Sequence, residues 1–167
     1  LFIYLHIFYH LKTSNDFEVY ELNNLSKERL EEICDIRQPL TFYLDMECFD
    51  KLRKENIIAN YSSFDIKLRD TSITSDSELF LPIALNKGLT VLDEDKNKKF
   101  ITENNHDFLE ETSLIKLLKA NDEYLRPTML AYSKYDYIMG SKDSTTPFRY
   151  DVNYRNYFVV LNGKAKV

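Results

Sequence analysis

The chain has 167 residues, of which 44% are apolar and 29% are charged, so it contains enough apolar material for one globular domain with its own core. Its formal net charge is −5, with acidic and basic residues interspersed, which argues against a nucleic-acid-binding protein because such a protein needs a concentrated positive patch. Cys34 and Cys48 fall in different predicted elements without a Cys-x-x-Cys pair. We therefore interpret both cysteines as reduced core residues.

An apolar run opens the chain: residues 1–11 read LFIYLHIFYHL, and Lys12 ends the run. Eleven residues are too few to cross a bilayer, which takes about 20, but they fit the end of a membrane span or an interfacial anchor. A buried helix or strand, or a signal-peptide core, is the alternative. His6 and His10 have metal-ligand spacing, yet no acidic or cysteine partner is near them, so we interpret them as interface or core residues. We predict a single N-terminal membrane anchor in residues 1–12.

Two strands and two helices are predicted in the next part of the chain. Ser26 is the expected N-cap of a helix that runs to about Ile36, because apolar residues recur there at helical spacing. Pro39 ends that helix. The strands are expected at residues 17–22 and 40–44, and the second helix at 47–54.

The middle of the chain reads as strands followed by a helix. Residues 64–69 alternate between apolar and charged side chains, which predicts a half-buried strand with one wet face. A polar loop over 70–78 follows, and residues 79–92, interrupted by Asn86-Lys87-Gly88, are interpreted as a hairpin. A charged turn over 93–99 and a helix over 108–118 come next.

From Met129 onward the pattern is typical of strands. Asn162-Gly163 stands between two β-rich runs, residues 157–160 and 164–167, and Asn-Gly in that position is a strong hairpin signal.

Three polar motifs of the middle region have ordinary structural interpretations. We interpret His106 as a neighbour of a helix N-terminus and the Glu110-Glu111 pair as residues that complement the dipole of that helix. Residues 93–95 are acidic, but the glycine and the regular oxygen spacing of a calcium loop are missing.

The segment 140–167, GSKDSTTPFRYDVNYRNYFVVLNGKAKV, resembles the first metal-binding strand and following hairpin of the cupin-like and JmjC-like hydroxylases. In that family Thr-Pro-x-His-x-Asp is followed by an Asn, aromatic residues and a hairpin that ends in Gly-x-Lys. The matching residues are Gly140, Thr146, Pro147, Tyr150, Asp151, Asn156, Tyr157 and Gly163. The chain is also similar to cupin-like proteins of large DNA viruses that carry an N-terminal membrane anchor, which implies a virion or host membrane.

The resemblance implies an Fe(II) and 2-oxoglutarate site, and two departures oppose it. His and Asp two apart on a strand point to the same side and supply two iron ligands, but Arg149 stands at the His position and only Asp151 remains. A guanidinium has no lone pair to donate. The family's 2-oxoglutarate lysine corresponds to Ala165, between Lys164 and Lys166 on the opposite strand face.

Three functions follow as alternatives. We expect a pseudoenzyme, without a cofactor, that acts as a membrane-anchored structural or interaction module with a protein partner or as a homo-oligomer, and in which Arg149 pairs with Asp151 at the vestigial metal position. The rival is a JmjC-type hydroxylase that uses Fe(II) and 2-oxoglutarate. In the third interpretation Thr146, Arg149 and Tyr157 bind a small anionic ligand.

The expected fold is α+β and mainly antiparallel: N-terminal helices and strands followed by the first strands of an incomplete double-stranded β-helix of the cupin or jelly-roll type. The anchor of residues 1–12 precedes an α+β region over 13–128, and barrel strands occupy 129–167. Since the chain starts without Met and stops within a predicted strand, we interpret it as the N-terminal part of a longer protein.

Overall fold

The computed structural model describes residues 1–5, 14–16, 18–73, 79–148 and 153–166. The chain forms two compact units: Leu1–Met46 with Glu123–Met129, and Glu47–Asp122 with Leu130–Val167. Helices and two sheets share the chain, so the predicted α+β class is confirmed.

The first unit contains a parallel strand pair joined by a helix. Strands β1 (Tyr20–Leu22) and β2 (Leu40–Phe42) are parallel neighbours, and helix α1 (Lys27–Asp35) supplies the crossover that a parallel pair requires. The predicted cap is present, since the Ser26 side chain accepts a hydrogen bond from the Arg29 backbone N–H at 3.3 Å. Both strands and the helix lie where the sequence predicts them, with ends that differ by a few residues.

The second unit contains a four-stranded antiparallel sheet in the order β4-β3-β5-β6. Its strands are β3 (Asp65–Asp70), β4 (Leu81–Ala84), β5 (Phe100–Thr102) and β6 (Met139–Gly140). Its helices are α2 (Glu47–Leu52), α3 (Lys54–Tyr61), α4 (Leu85–Glu94), α5 (His106–Glu111) and α6 (Leu114–Asn121).

The core of the second unit lies between this sheet and its helices. Its buried members are Leu52, Ile57, Ile66, Leu85, Leu89, Phe108, Leu109, Leu114 and Ile115. Tyr135 and Tyr137, from the irregular segment before β6, pack against the same core. The Tyr135 hydroxyl donates to Asp122 and the Tyr137 hydroxyl donates to the Leu52 carbonyl at 3.0 Å, so this segment is fastened to two helix ends.

The predicted hairpin over 79–92 is wrong, because only its first part is a strand. Helix α4 begins at Leu85, directly after β4, and the signal Asn86-Lys87-Gly88 lies in its first turns. Leu85, Leu89 and Leu92 are spaced to bury one helix face. The burial of that face outweighs the local turn preference of Asn-Lys-Gly.

Two predicted helices have different bounds in the structure. The helix expected over 108–118 is two helices, because Ser113 adopts φ 60° and ends the regular turn between α5 and α6. Glu110 and Glu111 therefore lie at the C-terminal end of α5, so their predicted role at a helix N-terminus is wrong. The helix expected over 47–54 ends at Leu52, and α3 follows it.

The predicted wet face of β3 is wrong at Arg69. This side chain is 8% exposed, and its Nη1 donates to Glu103 Oε1 at 2.6 Å. Glu103, which follows the end of β5, pairs with Arg69 and so allows it to be buried. The alternation of apolar and charged residues in the sequence cannot indicate such a partner.

The predicted hairpin of residues 157–160 and 164–167 is not formed in the described part, since residues 153–166 contain no strand. Gly163 does have the positive φ, +83°, that an Asn-Gly turn favours. Leu161, however, packs against the core, and Asn162 Oδ1 accepts a hydrogen bond from the Lys54 backbone N–H at 3.1 Å. A two-stranded hairpin alone is only marginally stable, which explains why the Asn-Gly signal does not suffice to form one here. The segment is held by its contacts with the core and with Lys54 instead.

Candidate functional site

The structure describes two of the four residues that the sequence singles out for a site. Thr146 is exposed within a stretch that has no helix or strand, and Tyr157 is half-buried in the same unit. Arg149 and Asp151 lie outside the described residues, so their pairing stays a prediction. Ala165, which we predicted to stand at the 2-oxoglutarate lysine position, is exposed together with Lys164 and Lys166.

No metal-binding arrangement is found in the described ranges: they contain no group of three or more His, Cys, Asp or Glu side chains that could hold an ion. His106 begins α5, as its predicted place beside a helix N-terminus requires. Its Nδ1 lies 3.3 Å from the Tyr135 carbonyl, and its Nε2 lies 3.5 Å from Glu110 Oε1. His6 and His10 lie outside the described residues.

A cavity of about 160 Å³ opens beside the start of β3 and is lined partly by Asp65, Lys67, Asp107 and Glu111. Lys67 Nζ donates to Asp107 Oδ2 at 2.6 Å. This hydrogen bond and the charge of Lys67 lower the pKa of Asp107, which keeps the carboxylate ionised near neutral pH. Lys67 and Asp107 thus form a partly exposed ion pair in the lining of the cavity.

Asn105 organises the inner wall of that cavity. Its side chain is 1% exposed, its Oδ1 accepts from the Lys67 backbone N–H at 2.7 Å, and its Nδ2 donates to the Tyr137 carbonyl at 2.7 Å. Asp136 accepts from the backbone N–H groups of Asn104 at 2.8 Å and Asn105 at 2.7 Å. These bonds join β3, the turn before α5 and the segment before β6, so the wall is structural. Sequence analysis missed Asn105; its place directly before a helix was the available signal.

Asp95 also has a structural role. Its Oδ2 accepts from the Ser141 hydroxyl at 2.6 Å, the Lys99 N–H at 2.7 Å and the Phe100 N–H at 2.9 Å, and its Oδ1 accepts from the Asn97 N–H at 3.0 Å. Desolvation raises the pKa of Asp95, but these hydrogen bonds outweigh it and lower the pKa to about 2. The oxygens that a cation would need are thus used by the chain itself.

Residues 158–160 form an exposed apolar run in the described C-terminal segment. Phe158 is 58% exposed, Val159 44% and Val160 52%, although all three are residue types that favour buried strands. Leu161 packs on the core directly after them. A contiguous exposed apolar run of this kind is typical of an interaction surface.

A second apolar surface lies at the N-terminus. Residues 2–5 are helical, and Leu1 to Ile3 expose between 97% and 72% of their surface. Within the ranges that the structure covers, no helix combines the length and the apolarity that crossing a bilayer demands.

Compared with known proteins, the sequence matches no family model and no curated protein, and the fold matches no solved structure.

Proposed function

We propose that this chain is a non-catalytic, cupin-like interaction module that its apolar N-terminus holds at a membrane. The exposed apolar run Phe158–Val160 is the observation that carries the proposal, because it offers a binding surface within the segment 140–167 that resembles the family. An iron-dependent hydroxylase would need a histidine ligand at position 149, where this chain has Arg149.

The donor set supports the non-catalytic part of the proposal. A 2-His-1-carboxylate iron site needs a neutral imidazole where Arg149 stands, and the guanidinium is cationic and has no lone pair. The residues of the motif therefore do not fit iron, and Ala165 has no charge with which to hold the carboxylate of 2-oxoglutarate.

The exposed N-terminal residues support the membrane part. A helical segment that packed into its own domain would bury Leu1, Phe2 and Ile3, yet each of them is more than two-thirds exposed. Burying such side chains in the interfacial region of a bilayer is favourable by about 1.5–3 kcal/mol each.

Metal titration tests the non-catalytic role against the rival hydroxylase. Calorimetry of the whole chain with Fe(II) under anaerobic conditions, and with Mn(II) in air, should show no stoichiometric binding, and incubation with 2-oxoglutarate should release no succinate above the rate without protein. Binding of one metal ion per chain would overturn the proposal in favour of the hydroxylase.

A further inference from the structure

We draw no further inference here: the strongest candidate, the cavity beside the start of β3 that Asp65, Asp107 and Glu111 partly line, rests on a cluster of acidic side chains, and nothing in the described part of the chain shows what would bind to it.

Discussion

At the scale of single residues, the ion pair of Arg69 and Glu103 is the most buried charged contact among those described. The side chains are 8% and 3% exposed and meet at 2.6 Å between β3 and the end of β5. Removing two charges from water is costly, and their attraction compensates only while both are present. Loss of one side chain of the pair therefore leaves an uncompensated buried charge, whereas the intact pair adds little net stability.

Breaking this pair from one side should be strongly destabilising. We expect Arg69→Met or Glu103→Leu to lower the free energy of unfolding by about 3 kcal/mol, since each removes one charge of the buried pair and leaves the opposite charge uncompensated. The double variant Arg69→Met/Glu103→Leu should lose clearly less than the sum of the two. Urea denaturation measures all three.

The exposed pair of Lys54 and Asp93, at 3.5 Å, provides the control. Asp93→Asn should change the free energy of unfolding by less than about 1 kcal/mol. If the losses in the free energy of unfolding of the two single variants simply added up in the double variant, the side chains of Arg69 and Glu103 would not depend on each other.

Asp95 links stability to acid pH. Its pKa is about 2 in the folded chain against an ordinary value of 3.8, so its stabilising effect is complete above pH 3.8 and is lost as the pH falls toward 2. We expect Asp95→Asn to lower the melting temperature at neutral pH and to flatten its decline over this acid range. Thermal unfolding followed by circular dichroism checks both effects.

Glu94→Gln, at the exposed neighbouring position, is the matched control and should keep the wild-type pH dependence. An Asp95→Asn variant whose melting temperature declines as steeply as that of the wild type would contradict the role assigned to the hydrogen bonds from Ser141, Lys99 and Phe100.

At the scale of elements, helix α4 packs on the sheet through a glycine. A Cβ on Gly88 would lie 2.7 Å from Ile66 Cδ1, which is too close for two carbon atoms. The residue thus serves close contact between the helix and β3, although glycine inside a helix costs about 1 kcal/mol relative to alanine.

Gly88→Ala should therefore be coupled to the size of residue 66. Overpacking costs about 1–3 kcal/mol, so we expect a net loss of roughly 1 kcal/mol for Gly88→Ala. Gly88→Ala/Ile66→Val should be more stable than the sum of the single changes predicts, since valine lacks the Cδ1 atom. Urea denaturation of the wild type, the two single variants and the double variant measures the coupling energy between positions 88 and 66.

Lys87→Ala, on the exposed side of α4, should alter stability by no more than about 0.5 kcal/mol. Strict additivity between positions 88 and 66 would mean that the helix moves away from the strand to accept the methyl group.

At the scale of the whole molecule, net charge and exposed apolar residues give a prediction about membranes. The chain carries −5, so electrically neutral lipid is the suitable probe. We expect the protein to float with phosphatidylcholine vesicles in a density gradient, and Phe2→Asp/Ile3→Asp to abolish flotation because both exposed side chains become charged.

Tyr43→Asp alters a side chain that is 78% exposed elsewhere in the first unit, and this variant should still float. Flotation of the Phe2→Asp/Ile3→Asp chain at the wild-type level would exclude the N-terminus as the anchor.

Much of the first unit could be predicted from the sequence, because its signals are local. Ser26 as the cap, and Leu30 and Ile33 as the buried face of α1, lie within eight residues of one another and were predicted correctly. Asn86-Lys87-Gly88 shows where local signals fail, since this tripeptide predicts a turn but lies in the first turns of helix α4. Packing on Ile66 decides between the two.

The candidate site was less predictable for the same physical reason. The motif around Arg149 and Asp151 is a property of the sequence, and the absence of an iron site there stays a prediction that rests on the chemistry of the arginine side chain. The exposure of Phe158 and Val160 could not be predicted, since their pattern is equally typical of a buried strand.

The sequence by itself determined the α+β class and helix α1 with its cap. Only the tertiary structure decided that Arg69 is buried and that Asn162 bonds to Lys54, 108 residues away in the chain. Periodicity and side-chain chemistry are encoded within about ten residues. Burial and hydrogen-bond partners depend on which distant segments meet, and this is fixed only when the whole core packs.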